Sequence, residues 1–554
     1  MPLHVESEIA EALAAALATL GLEVAPRDIR LERPARPEHG DLSSNVALAS
    51  AARAGRPPRE IAAALAESLA AAGIEHLAGT EVAGPGFVNV RLLPSYLHES
   101  LRDVIAAGED GYARELLGGG ERVQVEFVSA NPTGPLHVGN GWFASYGDAL
   151  ARILERCGYA VRREYYVNDT GGQVRLLGES LLARRRGGEV PDEGYQGAYV
   201  TELAERYEGP DDIAEAGRFA VGEILANIRA TLGRFGIVFD EWYSQASVEE
   251  SGQVAETIEL LRSRGYVEER DGATWFRSSE LGDSRDRVLV RANGVPTYLA
   301  GDLAYHRNKF LLRGYDRVID VFGADHHGQV ASLKAGVQAL GIDPARLEVV
   351  LGQLVSISGQ KMSKRAGNFV RLDDLVELVG RSLESSGRTV ERPEEATRLL
   401  SLLYSIDQAT TLDLDALGRQ SPENPVYYVQ YAYARISSID RMRAARGVQR
   451  RPIGEVDLSL LEHPRELALI RCLTDLPGAV REAAQDRAPY KITNWVRRLA
   501  SDFHGFYHDC TVLSSESVEV APALTQARLW LAEGARICFA IGLSLLGVSA
   551  PEQM

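Results

Sequence analysis

Residues 122–150 read RVQVEFVSANPTGPLHVGNGWFASYGDAL. The first seven are rich in Val and Phe and alternate as a strand does. A turn cluster follows, Asn131-Pro132-Thr133-Gly134-Pro135. From about Leu136, apolar residues recur at helical spacing through Leu150. The stretch predicts strand, tight loop, helix. Such a unit brings the positive end of a helix, with unpaired backbone N–H groups, to the mouth of a strand, which suits a polyphosphate. His137 and Asn140 are three apart, so their side chains share one face of the first helical turn. Gly139 has no Cβ and lets a ligand approach the backbone.

Working outward, the chain of 554 residues is long enough for three or four domains. Hydrophobic (45%) and charged (25%) fractions are those of an ordinary globular protein. No uninterrupted run of eighteen apolar residues occurs, so no membrane-spanning helix is expected. The start, MPLHVESEIAEALAAAL, lacks a basic region ahead of its apolar residues and reads as an amphipathic helix, not a secretory signal. Cys157, Cys472, Cys510 and Cys538 are far apart and have no metal-ligand spacing, which points to a reducing, cytoplasmic home without disulfides. The net charge of -17 argues against a nucleic-acid partner when taken alone. Local balance differs: Arg27 to Arg59 holds seven arginines against four acids, and Arg435 to Arg451 six against one Asp. One basic run is usually a solvated face. Two, flanking a nucleotide site, suit a long polyanion.

A second motif lies in SGQKMSKRAGNFV, 358–370. Lys361 and Lys364, three apart on a Gly/Ser-flanked loop, form a mobile cationic clamp about 220 residues after His137. The pair of motifs resembles class I aminoacyl-tRNA synthetases, whose signatures are His-x-Gly-His and Lys-Met-Ser-Lys-Ser. Two positions depart: Asn140 stands for the second His, and Arg365 for the last Ser. Asn keeps a hydrogen-bond donor but carries no charge. The wider VEFVSANPTGPLHVGN is similar to bacterial arginyl-tRNA synthetases. That resemblance implies a Rossmann-type α/β catalytic domain at 116–380, an N-terminal α+β tRNA-binding domain at 1–115 and a C-terminal all-α anticodon-binding bundle at 381–554.

In order along the chain, residues 1–20 and 60–72 read as Ala-rich helices, with Ser43-Ser44 as a helix N-cap. GPGFVNVRL, 84–92, alternates as a strand. The resemblance makes Phe87 and Asn89 tRNA contacts; a ring can stack on a base and an amide can read it. Otherwise they are a buried strand Phe and a turn-facing Asn. YAVRREYYVNDT gives a second strand, completing a βαβ unit. About 171–285, with its Arg184-Arg185-Arg186 run, reads as a mostly helical insertion. The nucleotide fold resumes at 286–310. DRVIDVFGADHHG then ends a strand in a loop, where open α/β sheets bind ligands. From about 385 the pattern stays helical. ENPVYYVQYAYARISSIDRMRAAR, 423–446, interleaves aromatic residues and arginines, as either a Tyr-rich core face or a stacking surface for unpaired bases.

The resemblance also distributes roles. His137, Asn140, Lys361 and Lys364 become the catalytic set on the triphosphate. Ala130, Asn131, Pro132, Thr133, Gly134, Pro135, Leu136, Val138, Gly139, Gly323, Asp325, His327, Met362 and Ser363 surround ATP. Glu126, Ser129, Asn131, Tyr298, Asp302 and His326 hold arginine. Without the resemblance, Asp302 would be an acid offsetting a helix dipole and Tyr298 a core ring. Phe87, Asn89, Tyr428, Tyr431, Arg435 and the terminal Met554 face tRNA. Mg²⁺ arrives on ATP, with no protein metal cage, since His326 and His327 lack carboxylate or Cys partners at ligand spacing. The expected partners are tRNA(Arg), L-arginine and ATP, with a monomeric enzyme and no membrane. Three other readings compete: a class I synthetase for another amino acid, against which two acids in one pocket argue; an adenylyltransferase without RNA, against which the long helical C-terminus argues; and a catalytically silent tRNA-binding scaffold, against which Lys361 and Lys364 argue.

Overall fold

The structure is a computed structural model and describes residues 4–34, 36–353, 355–357, 370–385, 392–412, 425–516 and 518–550. Helices Val46–Ala54 and Pro58–Ala71 pack on an antiparallel sheet of order β1-β3-β2, formed by β1 (Leu42–Ser44), β2 (Leu77–Ala83) and β3 (Phe87–Leu92), and helix His4–Thr19 packs on Pro58–Ala71. Ser43 and Ser44 thus lie in a strand. Ser44 Oγ still accepts the N–H of Val46 at the first turn of helix Val46–Ala54, whose N-cap position is Asn45.

The central sheet joins β4 (Arg122–Glu126), β5 (Ala160–Val167), β6 (Glu241–Ser244), β10 (Arg317–Gly323) and β11 (Leu347–Gly352) in the order β11-β10-β4-β5-β6, every pair parallel. Helix Val138–Arg156 follows β4 as the motif predicts. It lies close to the sheet because Gly147 has no side chain; a Cβ there would sit 2.1 Å from Phe127 Cγ. The segment 171–285 does carry helices Gly172–Arg185, Ala198–Arg206 and Ile213–Arg234, but it is not helical throughout. Its β6 is the edge strand of the central sheet, so the sheet resumes earlier than the composition indicates. Residues 287–290, where the fold was expected to resume, instead form β9 of a separate antiparallel sheet with β7 (Val267–Arg270) and β8 (Ala273–Phe276).

Among the described residues beyond β12 (Val355–Ile357), the one strand between the helices is β13 (Thr410–Leu412), which pairs with β12 inside a stretch expected to be helix. Helix Pro522–Leu546 is long and apolar enough, by length and composition, to cross a membrane, although it holds no uninterrupted run of eighteen apolar residues. Most of it is buried among helices Pro94–Gly111, Pro425–Ala445 and Tyr490–Asp509. Arg398 ties this bundle to the central unit: wholly buried, it donates to the carbonyls of Leu546 (2.6 Å) and Phe235 (3.1 Å) and pairs with Asp148 on the motif helix. Burial would raise the Asp148 carboxyl, but Arg398, Arg152 and Arg163 together hold it at about 2.

Candidate active site

The chain leaves β4 through a strained turn. Val128 has φ 69° and Ser129 φ 32°, and the Ser129 N–H reaches the Phe127 carbonyl at 2.9 Å, a positive-φ γ-turn. A β-branched residue in that region is a true outlier, costing on the order of 1–3 kcal/mol. What the turn achieves is placement of Ser129 Oγ, which donates to Glu126 Oε1 (2.9 Å) and accepts the Tyr166 N–H (3.1 Å). The following turn is held from outside. Tyr165 OH donates to the Ala130 carbonyl (2.8 Å), the Asn131 amide to Gln173 Oε1 (2.9 Å), and Tyr199 OH to the Thr133 carbonyl (2.6 Å). Pro132, Thr133, Gly134, Pro135, Leu136, Val138 and Gly139 are buried beneath it. Gln173 and Tyr199 give the 171–285 segment a part in the site that its sequence did not disclose.

His137 and Asn140 form a reciprocal cap. Asn140 Oδ1 accepts the His137 N–H (3.0 Å), and His137 Nδ1 accepts the Asn140 N–H (3.3 Å). Gly139 also leaves room for the capping ring, since a Cβ would lie 3.1 Å from His137 Cε1 and press the imidazole aside by a few tenths of an ångström. With its oxygen committed to the cap, Asn140 has only its amide N–H groups to offer a ligand. Asn140→His is therefore expected to retain activity. Asn140→Asp keeps the cap and loses the donor, and Asn140→Leu loses both, with about 1 kcal/mol of helix capping besides. Single-turnover adenylate formation ranks them, and a Leu variant as fast as wild type would show that this turn does not touch ATP.

Lys361, Met362, Ser363 and Lys364 lie outside the described residues, but the chain on either side is placed. Ile357 ends β12, and the chain re-emerges at Val370–Leu372 bonded to the motif turn: Val138 N–H to the Val370 carbonyl at 3.2 Å, and Leu372 N–H to the Leu136 carbonyl at 2.9 Å. Leu372 then packs where a Cβ on Gly141 would sit, 2.5 Å from its Cδ1. Val370, the last residue of the second sequence motif's stretch, therefore meets the first motif at the start of one helix.

The acids of the site lie on β4 and on helix Tyr298–Arg307. Asp320, Glu126 and Glu164 are in-register partners on β10, β4 and β5, with Glu241 on β6 continuing the row. Carboxylates one strand spacing apart, about 4.8 Å, would repel by about 3 kcal/mol at an effective dielectric near 20. Cations from one helical turn lie over the row. Lys309 Nζ, 0% exposed, sits 2.6 Å from Glu126 Oε2 and 2.8 Å from Asp320 Oδ1, over the Tyr305 ring at 4.2 Å. Arg313, four residues on, pairs with Glu164. His306 Nε2 meets Asp320 Oδ2 at 2.9 Å, and its Nδ1 faces the Asp302 carbonyl at 2.7 Å. Burial would raise Asp320, yet Lys309 and His306 hold it at about 2. Burial also pushes Glu126 up, against the pull of Lys309.

Asp302 stands apart. Its carboxylate makes no hydrogen bond or ion pair with the described residues, and burial, reinforced by the charges of Glu126 and Asp320 against those of His306 and Lys309, raises it to about 6. Tyr298, one turn earlier, is 71% exposed and so is no core ring. The resemblance makes Asp302 an arginine-facing acid; on that reading, since a guanidinium stays charged throughout, ionisation of Asp302 would set the acid limb of arginine binding. The kcat/KM for arginine is expected to fall about tenfold per pH unit below about 6 and to level off above about 7; a flat profile from pH 5 to 8 would remove Asp302 from substrate binding.

The loop after β10 is a 3₁₀ turn, Ala324–Gln329, at the carboxyl edge of the sheet. Asp325, His326 and His327 are exposed there, beside Gly323, and His326 Nδ1 contacts Gln329 Oε1 at 3.2 Å. At the N-terminal sheet, Phe87 is 37% exposed and Asn89 only 3%, with Asn89 Oδ1 accepting from Ser43 Oγ at 2.8 Å. The ring is thus outside and the amide inside, the reverse of a buried Phe beside a turn-facing Asn, and Asn89 is not at the surface to meet tRNA. In helix Pro425–Ala445, Tyr428, Tyr431 and Arg435 share one face. Arg435 lies between the Tyr431 (4.2 Å) and Tyr507 (4.7 Å) rings, and His504 sits 4.6 Å from Tyr428. The core face of that helix is made by Val429, Tyr433 and Ile436 instead. Met554 lies outside the described residues.

Comparison with known proteins agrees with this geometry along the whole chain. Family models match for the arginyl tRNA synthetase N terminal domain at 5–92, the tRNA synthetases class I (R) catalytic domain at 109–208 and 230–399, and the DALR anticodon binding domain at 429–554. Relatives named arginine–tRNA ligase include one from Carboxydothermus hydrogenoformans, 42% identical over 100% of this chain and 99% of its own, and one from Frankia alni, 43% identical over 100% of both. The arginyl-tRNA synthetase structure from Thermus thermophilus superposes with a TM-score of 0.77 over 98% of this chain and 99% of its own; at 23% identity it speaks for the fold. The chain belongs to the arginyl-tRNA synthetases of class I.

Proposed function

We propose that the chain esterifies L-arginine to tRNA(Arg) in two steps. A carboxylate oxygen of arginine attacks the α-phosphorus of ATP, the α–β bridging bond breaks, and pyrophosphate leaves with the electron pair. The 2′-hydroxyl of the terminal ribose then attacks the carbonyl carbon of the adenylate, releasing AMP and a proton. Such phosphoryl chemistry needs positioning, and cations where charge develops. The observation that carries the reading is the capped start of helix Val138–Arg156, bonded to Val370–Leu372 shortly after the Lys361–Arg365 motif in sequence, with Asp302, whose carboxylate has no partner among the described residues, in the same domain.

In this reading the Asn131–Leu136 turn and the helix start seat the triphosphate with His137, Asn140, Lys361 and Lys364. The Gly323–His327 loop, with Asp325, receives the nucleoside, and Glu126, Ser129, Asn131, Tyr298, Asp302 and His326 receive arginine. Mg²⁺ comes with ATP as part of the substrate. Residues 1–115 and 381–554 take tRNA through Phe87 and through the Tyr428, Tyr431 and Arg435 face, and the enzyme works as a cytosolic monomer. A guanidinium site of this kind can reject analogues lacking its hydrogen bonds by roughly 10⁴–10⁵ without an editing module. The test is ATP–pyrophosphate exchange with each of the twenty amino acids, with and without total tRNA. Exchange with arginine is the expected result, and exchange with a different amino acid would overturn the reading.

A further inference from the structure

The acid row of the central sheet invites a question the family assignment leaves aside. Asp320, Glu126 and Glu164 stand side by side across three strands. Two cations four residues apart, Lys309 and Arg313, divide them: Lys309 takes Glu126 and Asp320, Arg313 takes Glu164. Lys309 belongs to a π-helical turn, Asn308–Leu312, and such turns inside helices frequently mark functional sites. Both oxygens of Glu126 are engaged, Oε1 by Ser129 and Oε2 by Lys309, whereas the Asp302 carboxylate has no partner among the described residues.

We propose that Lys309 is a positioning residue of the arginine pocket: it holds Glu126 charged and aimed, and thereby makes Asp302 the acid that takes the incoming guanidinium. The proposal rests on the reading of Glu126 and Asp302 as the arginine-facing acids. Its logic is a division of labour between two carboxylates. An acid already neutralised by an internal ammonium has little to gain from a second cation, so it serves as a fixed wall. The open acid gains the whole interaction. The wall depends on Lys309, because Glu126 and Asp320 without a cation between them cannot both stay ionised in a buried row. The charged and titratable groups facing this point are Asp302, Tyr305 and His306 from helix Tyr298–Arg307, Glu126 from β4, Asp320 from β10, and Tyr166 and Glu164 from β5, the latter with its partner Arg313.

The experiment compares Lys309→Met with Arg313→Met, since both remove a cation from the same acid row. Lys309→Met is expected to raise the arginine KM by roughly 10- to 100-fold, with the ATP KM within about twofold of wild type. It is also expected to move the acid limb of the arginine kcat/KM profile upward by about one pH unit or more, as Glu126 takes up a proton. Arg313→Met, whose acid lies one strand further on, is expected to lower thermal stability and leave the arginine KM within about twofold. Lys309→Gln, which retains a donor without the charge, serves if the Met variant does not fold, with an intermediate effect expected. A wild-type arginine KM and an unmoved acid limb overturn the proposal. So does an equal effect of Arg313→Met, and so does failure of both Lys309 variants to fold while Arg313→Met folds, which would make Lys309 a folding residue alone. Asp302→Asn run alongside separates the two levels: if it too leaves the arginine KM unchanged, the pocket reading is what fails.

Discussion

Lys364→Ala is expected to slow single-turnover formation of arginyl-adenylate by roughly 10²–10³-fold while changing the arginine KM by only about twofold. A cation aimed where negative charge grows on the transferring phosphate acts mainly in the transition state, so its loss appears in the rate and not in ground-state affinity. Lys364 falls between Ile357 and Val370, and the far end of that stretch is bonded by backbone to Leu136 and Val138, on either side of His137. Val370 and Leu372 thus stand at the helix start that would seat the phosphates. ATP in the ground state keeps the capped helix N-terminus, which is why its affinity should be spared. Rapid-quench measurement at saturating arginine and tRNA checks the expectation, and an unchanged rate would remove Lys364 from the mechanism.

The parts of this molecule that sequence discloses are those where one chemical need maps onto contiguous residues. The strand, turn and helix of 122–150 could be read because alternation, a Pro/Gly cluster and helical periodicity follow one another within 29 residues, and the structure has each in its place. The pairing of Asn140 with His137 was half legible: their shared face followed from spacing, but the reciprocal cap depends on both backbone N–H groups, which no residue pattern displays. The acid row was hidden for another reason. Asp320, Glu126 and Glu164 become neighbours only when β10, β4 and β5 align, and the first and last of these are over 150 residues apart. A signal did exist, since Asp320 interrupts the apolar run of RVIDVFG and a buried strand does not tolerate an unpaired acid. β6 was missed because four residues, EWYS, give too short a pattern to separate a strand from the helices around it. Tyr199 and Gln173 reach the motif turn from outside the motif, and only the packing of the 171–285 helices brings them there.

Asp302→Asn is expected to raise the arginine KM by roughly 30- to 1000-fold, the range for truncating one partner of a buried charged pair. The change is nearly isosteric, so it tests charge and acceptor pattern, not shape. A guanidinium presents donors only, in a planar fork that a carboxylate accepts in parallel. An amide at this position offers one acceptor and turns its own donor toward the ligand. ATP affinity should be nearly intact, because the turn that would seat it is held by Tyr165, Gln173 and Tyr199 and not by Asp302. Stability should move the other way. The Asp302 carboxyl is raised to about 6, above its ordinary 3.8, so ionising it costs the folded protein more than the unfolded chain. That penalty is absent below about 4, grows as the pH rises toward 6 and is complete above it. The Asn variant should therefore melt at a higher temperature than wild type at pH 8 and lose that advantage at pH 4. A variant with wild-type arginine KM would sink the assignment of Asp302 to the guanidinium and with it the pocket reading, and a lower melting temperature at pH 8 would show that its carboxylate has a structural partner instead.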